Sequence, residues 1–458
     1  MFEIASTPLS RRAALAGLFG VSALGLAACA GSNSGGGGNG ASATPVSSDD
    51  FAKAMDTDTE LTFWTWVPDI QKEVDLFQAK YPKVKVKVVN AGQGLDQYTA
   101  LRTALKAGKG APDVCQIEYQ YISSFLIGKN LLDLSGMNGF GDLESQYPEW
   151  VWNQVARDAA VYAVPQDTGP MGMLYRDDLL KAAGVQAPTT WDEFATAAQT
   201  YRTASTNSYL TDLPPNQAGQ MIGFMWANGA KPFAYDGDKT VTVDLTGTEA
   251  KQVVEFWQGL VQKDLVAVDP DFTDQWYQGL SAGTYASWLT AAWGPVFLQG
   301  TAKNTSGNWR AAQLPQFTAG GKATGNWGGS TDAVISTTKN PVAAAELARW
   351  INVEREPAMK LATEQFLFPP LNSVLQDSSF VGQTPEFYGG QKVNEVFVEA
   401  SQNVNTDFEW LPFMDTVYSS YTDVMGPAIT NRGDMVGALA QWETKIKDFA
   451  TSQGFTVK

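Results

Sequence analysis

Between residues 59 and 118 the chain changes periodicity again and again, and that alternation limits its fold more than any other feature. Glu60 to Val67, "ELTFWTWV", alternates and is rich in β formers, so it reads as a strand. Pro68 to Tyr81 places Ile70, Val74 and Phe77 at helical spacing. Lys83 to Asn90, "KVKVKVVN", is a second strand with valine on alternate positions. Tyr98 to Lys106 is helical again, and "GKGAPDVCQI" is a turn followed by a buried strand, Val114 to Ile117. The order β-α-β-α-β is the start of a parallel sheet flanked by helices.

A second α/β region follows "VYAVPQDTGPMGMLYRDDLLKAAG", with Thr190 as the cap of a helix that begins "WDEF". Helices are expected near 217–228 and 248–263, and a strand over 285–293. A third α/β piece, 326–375, contains the helix "PVAAAELARWINV", and 390–450 is mostly helical.

The first 58 residues differ in kind. Arg11 and Arg12 precede an apolar run, Ala13 to Ala28, too short to span a membrane comfortably, and small residues lead into Cys29. This is the layout of a secretory signal. Leu26-Ala27-Ala28-Cys29 resembles the bacterial lipobox, which implies cleavage before Cys29 and diacylation of its thiol. Ser10 to Leu15 resembles a twin-arginine signal but has Ala14 where a Phe is usual, so the export route stays open. Residues 29–58 read as the lipidated cysteine and a flexible tether.

Composition removes whole classes of function. The chain has 458 residues, a net charge of −16 and no histidine. The charge argues against nucleic acid as a partner. The missing histidine excludes Ser-His-acid and Cys-His hydrolases and removes the commonest zinc ligand. Carboxylate chemistry, oxygen-ligand metals or plain binding remain. With only Cys29 and Cys115 there is no disulfide framework, and Cys115 is expected to pack as a small buried hydrophobe.

The stretches "LTFWTW", "GKGAPDVCQI", "AVYAVPQDTGPMGMLYRDDLLKAAGVQAPTTWDEF", "WANGA", "SWLTAAWGP" and "RWINVEREPAMKLATEQFLFPPLNSV", followed by a helical tail, run in one order over about residues 60–455. In that order the chain resembles the extracellular solute-binding proteins of sugar ABC transporters, the family that includes maltose-binding protein. The resemblance implies an α/β, two-lobed periplasmic-binding-protein-like fold of type II with a hinge between the lobes. It implies crossings near 164–165, 325–330 and 375–390. One lobe is then 59–165 plus 326–378, and the other 166–325 plus 379–458. It also implies a monomeric, lipid-anchored receptor outside the bacterial cell, with an ABC permease as partner, no cofactor, no metal and no catalytic residue.

Ligands of open parallel sheets bind beyond the carboxyl ends of the strands. That rule selects Trp66 and Asp69 after the first strand, Gln93 and Asp96 after the second, and Glu118 and Tyr119 after the third. Trp64 and Trp66 point to opposite sides if the strand continues, and Trp66, nearer its end, is preferred. Asp69 and Glu118 read equally as solvated loop acids, and Asp96 as the cap of a helix starting at Tyr98. From the resemblance come Asp167, Trp293, Trp327, Trp410 and Phe413; Trp226 reads as core. Rings and carboxylates together suit a sugar, whose C–H faces stack and whose hydroxyls donate. Two rival functions remain open: an exported glycoside hydrolase with a carboxylate pair, and a receptor of the same fold for a polyamine.

Overall fold

The computed structural model of the protein describes residues 45–458. Its first sheet grows from the alternating segments. β1 (Thr59–Trp64), β2 (Val84–Val89) and β3 (Val114–Glu118) form where expected. β1 pairs in parallel with both neighbours, Phe63 lying opposite Val88 on one side and Val114 on the other. Val84 and Val86 are buried while Lys85 and Lys87 are exposed, so β2 covers one face only. Helices Gln71–Lys80 and Leu95–Ala107 make the crossovers that parallel pairing requires.

The later strands divide between two sheets. They are β4 (Val164–Pro165), β5 (Met171–Arg176), β6 (Ser287–Ala291), β7 (Trp309–Gln313) and β8 (Ser330–Val334). β8 runs antiparallel between β3 and β4, giving the order β2-β1-β3-β8-β4. β5 is the centre of a second, antiparallel sheet, β6-β5-β7. The chain therefore leaves the first sheet at β4, enters the second at β5, and returns before β8.

The outgoing and returning segments are tied together. Pro170 bridges Asn326, and the Trp327 N–H donates to the Gly169 carbonyl at 2.8 Å. A Cβ on Gly169 would lie 2.0 Å from the Trp327 oxygen, so no larger residue fits there. Residues after 366 join the same place: the Thr168 N–H donates to the Phe368 carbonyl at 2.9 Å. Beside β8, buried Asp332 accepts from Gln166 (2.9 Å) and Asn352 (2.7 Å). Burial pushes its carboxyl up to about 7.

Local signals explain several helices. Thr190 and Glu193 form a full capping box at the start of Trp191–Ala204. Helix Ala218–Ala227 is buried on all sides from Ala218 to Trp226, and Trp226 stacks on Phe408 at 4.1 Å, a core residue as expected. Ser47 caps a helix, Ser48–Met55, whose Met55 is buried. That helix lies inside the expected tether and shortens it. The signal segment, Cys29 and the Gly/Ser run lie outside the described residues. Cys115 is unpaired and fully buried, and burial pushes its thiol up. Among the described residues no helix is long and apolar enough to cross a membrane.

Candidate functional site

The carboxyl end of β1 is held by a buried side chain of β3. The Gln116 Oε1 accepts from the Thr65 hydroxyl (2.8 Å) and from the Trp66 N–H (3.0 Å). β1 stops at Trp64, so Trp66 lies just past it, half-buried, its ring 6.2 Å from Tyr98. The Tyr98 hydroxyl donates to Glu118 Oε2 (3.0 Å) and accepts from the Glu118 N–H (2.9 Å). Tyr98 also meets Tyr121, with centroids 4.6 Å apart. Glu118 is half-buried at the end of β3. Burial pushes its carboxyl up to about 7, against the hydrogen bonds from Tyr98 and Gln120.

The next residue continues the set. The Tyr119 hydroxyl donates to the Asp167 carbonyl at 3.1 Å. The Asp167 carboxylate accepts from the Ser330 N–H (2.8 Å) and hydroxyl, and burial raises it to about 6. Two residues on, Gly169 meets Trp327, whose carbonyl accepts from the Trp293 indole at 2.8 Å. The two indoles lie 4.8 Å apart at 77°. The structure thus brings Trp66, Glu118, Tyr119, Asp167, Trp327 and Trp293 into one run of contacts from the end of β1 to the junction of the two sheets.

Other expected residues stand apart. Asp69 is exposed, at a φ of +57°, with its carboxylate 3.6 Å from Lys72. Gln93 and Asp96 are exposed, and the helix begins at Leu95 with Gly94 in the cap position, so Asp96 sits in its first turn and is not its cap. Trp410 is buried beside Phe408 and Trp226, its indole donating to Gln154 at 2.6 Å. It lines a cavity of about 610 Å³ together with Tyr119, Arg157, Tyr162, Lys231 and Tyr235. Phe413 packs on Phe449 and Phe455 near the C-terminus.

The helix after Phe413 supplies different groups. In Met414–Thr430, Tyr418 lies 6.4 Å from Tyr121 and Asp415 pairs with Arg102 at 2.7 Å. Burial and the neighbouring Glu118 charge both raise the Tyr418 phenol. Tyr98, Arg102, Tyr121, Asp415 and Tyr418 escaped the sequence reading. Their one signal was spacing: Tyr98 and Arg102, and Asp415 and Tyr418, each share a helix face. Phe272, against both Trp293 and Trp327, escaped it too. Carboxylates that accept, phenols that donate, and rings with open faces make a surface for recognising a polyhydroxylated molecule. Among the described residues no cluster of His, Cys, Asp and Glu could hold a metal ion.

Residues 64–354 match the family model of the bacterial extracellular solute-binding protein. The chain belongs to this family. An arabinooligosaccharide-binding protein of Halalkalibacterium halodurans is 26% identical over 380 residues, covering 79% of this chain and 82% of the relative. A lactose-binding protein of Rhizobium radiobacter is 26% identical over 394 residues, covering 81% and 86%. Among solved structures, an ABC transporter associated binding protein from B. animalis subsp. lactis, in complex with β-1,6-galactobiose, is 32% identical. It superposes with a TM-score of 0.76 over 88% of this chain and all of that one. The fold is the family's two-lobed α/β fold, and family members are binding proteins of ABC transport.

Proposed function

We propose that this protein is the lipid-anchored, extracellular substrate-binding component of an ABC importer, and that its ligand is a short oligosaccharide. The observation that carries the reading is the run of rings and carboxyl groups from Trp66 through Glu118 and Asp167 to Trp293. It lies where strand ends of a parallel sheet face ligands, and relatives named for arabinooligosaccharide, lactose and β-1,6-galactobiose support it. Lobe one comprises about 59–165 plus 326–378, and lobe two 166–325 plus 379–458. Trp66, Tyr98, Glu118 and Tyr121 act from the first; Trp293 and Tyr418 act from the second.

Binding to one lobe followed by closure of the other adds contacts only in the closed state. Moving closure from 1:99 to 99:1 takes about 5.5 kcal/mol of differential binding. Stacking one sugar face buries about 100 Å² of apolar surface, about 2.5 kcal/mol per ring, so two rings and a few hydrogen bonds suffice. The closed form docks on the permease, and diacylated Cys29 keeps the receptor at the membrane. Two acyl chains are enough for stable anchoring.

Calorimetry against β-1,6-galactobiose, lactose, arabinooligosaccharides and maltose tests the reading, with scattering to follow compaction. A saturating heat with at least one sugar is expected. No heat with any of them, or binding of spermidine alone, would refute it, and shortened oligosaccharides after incubation would point to hydrolysis. Cys29→Ser should release the protein into the medium.

A further inference from the structure

Phe272 combines three properties that rarely coincide. It is among the few large apolar side chains left exposed, at 40%. Its φ is +56°, a region a bulky side chain seldom occupies and one that costs conformational energy. Its ring lies 5.9 Å from Trp293 and 6.1 Å from Trp327, the two indoles at the junction of the sheets.

Both flanks hold the backbone in this state. On one side the Thr273 hydroxyl accepts from the Trp276 N–H (3.1 Å) and caps helix Asp274–Ala282. On the other, the buried Asp271 accepts from Asn216 (2.9 Å) and Gln217 (3.0 Å), and its own N–H donates to Asn216 (3.2 Å). A glycine would adopt this φ without cost, yet the chain places an aromatic ring there and leaves it open on one face. Packing alone gives no reason for the exposed face.

We propose that Phe272 is a specificity-determining platform of the binding cleft, and that it takes the C–H face of a hexopyranose unit of the ligand. A chair presents several parallel C–H bonds on one side, which match a flat ring backed by two indoles. A puckered five-membered sugar ring presents fewer. This rests on the sugar-receptor reading above and narrows its ligand to a hexopyranoside.

The test compares the wild-type protein with Phe272→Gly and Phe272→Tyr, by calorimetry with β-1,6-galactobiose and lactose and by thermal unfolding. Phe272→Gly should weaken the tighter of the two sugars about 10- to 60-fold, the loss of up to about 100 Å² of stacked apolar surface. Its Tm should be unchanged or higher, because the strain is gone. Phe272→Tyr should bind within about threefold of wild type, since the ring face is kept. Wild-type binding of either disaccharide with undiminished binding by Phe272→Gly would overturn the proposal. So would a fall in Tm on Phe272→Gly, which would assign the ring to packing. Failure of the wild-type protein to bind any sugar would instead refute the receptor reading.

Discussion

Replacing Glu118 by Gln should flatten a pH dependence that the wild-type protein carries. Burial holds the Glu118 carboxyl near 7, while the Tyr98 hydroxyl donates to it. Sugar hydroxyls at this carboxyl donate to the ionised form, so ligand favours the carboxylate and binding releases protons. If only that form binds, Kd scales as 1 + 10^(pKa − pH). Kd then sits about 1.1-fold above its high-pH limit at pH 8, about twofold at pH 7 and about 30-fold at pH 5.5. Asp167, raised to about 6, steepens the loss at the acid end. Titrations at pH 7 in buffers of different ionisation enthalpy should report about half a proton released per ligand. Glu118→Gln should bind about 10- to 100-fold more weakly at pH 8, the worth of a charge-assisted hydrogen bond, and change little between pH 8 and 6.5. A wild-type Kd that is flat from pH 8 to 5.5, or that tightens as pH falls, would refute the reasoning.

Stability should run the same way in pH for a different reason. The carboxyls of Glu118, Asp167, Asp271 and Asp332 are all raised in the fold to about 6 or 7, so between pH 4.5 and 7 the folded chain holds protons that the unfolded chain has lost. Stability is then greatest below that window and is lost as pH rises through it, and Tm by calorimetry should be a few degrees higher at pH 5.5 than at pH 8, less so in Asp332→Asn. Arg102→Ala removes a pair between helices on either side of the proposed cleft, exposed at 39% and 35%, so Kd should rise only about two- to fivefold at low salt. The effect should vanish in about 1 M NaCl, where the screening length is about 3 Å. Trp226→Ala should cost about 3–5 kcal/mol in denaturant melts, while the folded fraction binds sugar with wild-type affinity.

The first sheet could be read because each of its strands declares itself locally. Alternating valines mark β2, and the Thr190–Glu193 pair marks a helix start without help from distant residues. The insertion of β8 beside β3 could not be read, since it pairs Ser330 with Glu118 across more than 200 residues and no local pattern encodes that choice. The site divides along the same line. Trp66, Glu118 and Tyr119 sit at strand ends, where one rule locates them. The contribution of the C-terminal region depends on which face of a helix turns inward. "EWLPFMDTVYSSY" holds several aromatics, and only packing selects Tyr418 while turning Phe413 toward Phe449. Phe272 gave no signal, because a positive φ comes from the clamps on both sides and not from the residue itself.

The burial of Cys115 has a practical consequence. Its thiol is sealed inside the first sheet and stays protonated, so it is inert to alkylating dyes. A soluble form lacking Cys29 therefore needs no thiol removed before fluorophores are attached. One new cysteine near Lys72 and another near Lys445 would let energy transfer track the jaws in real time, one molecule after another.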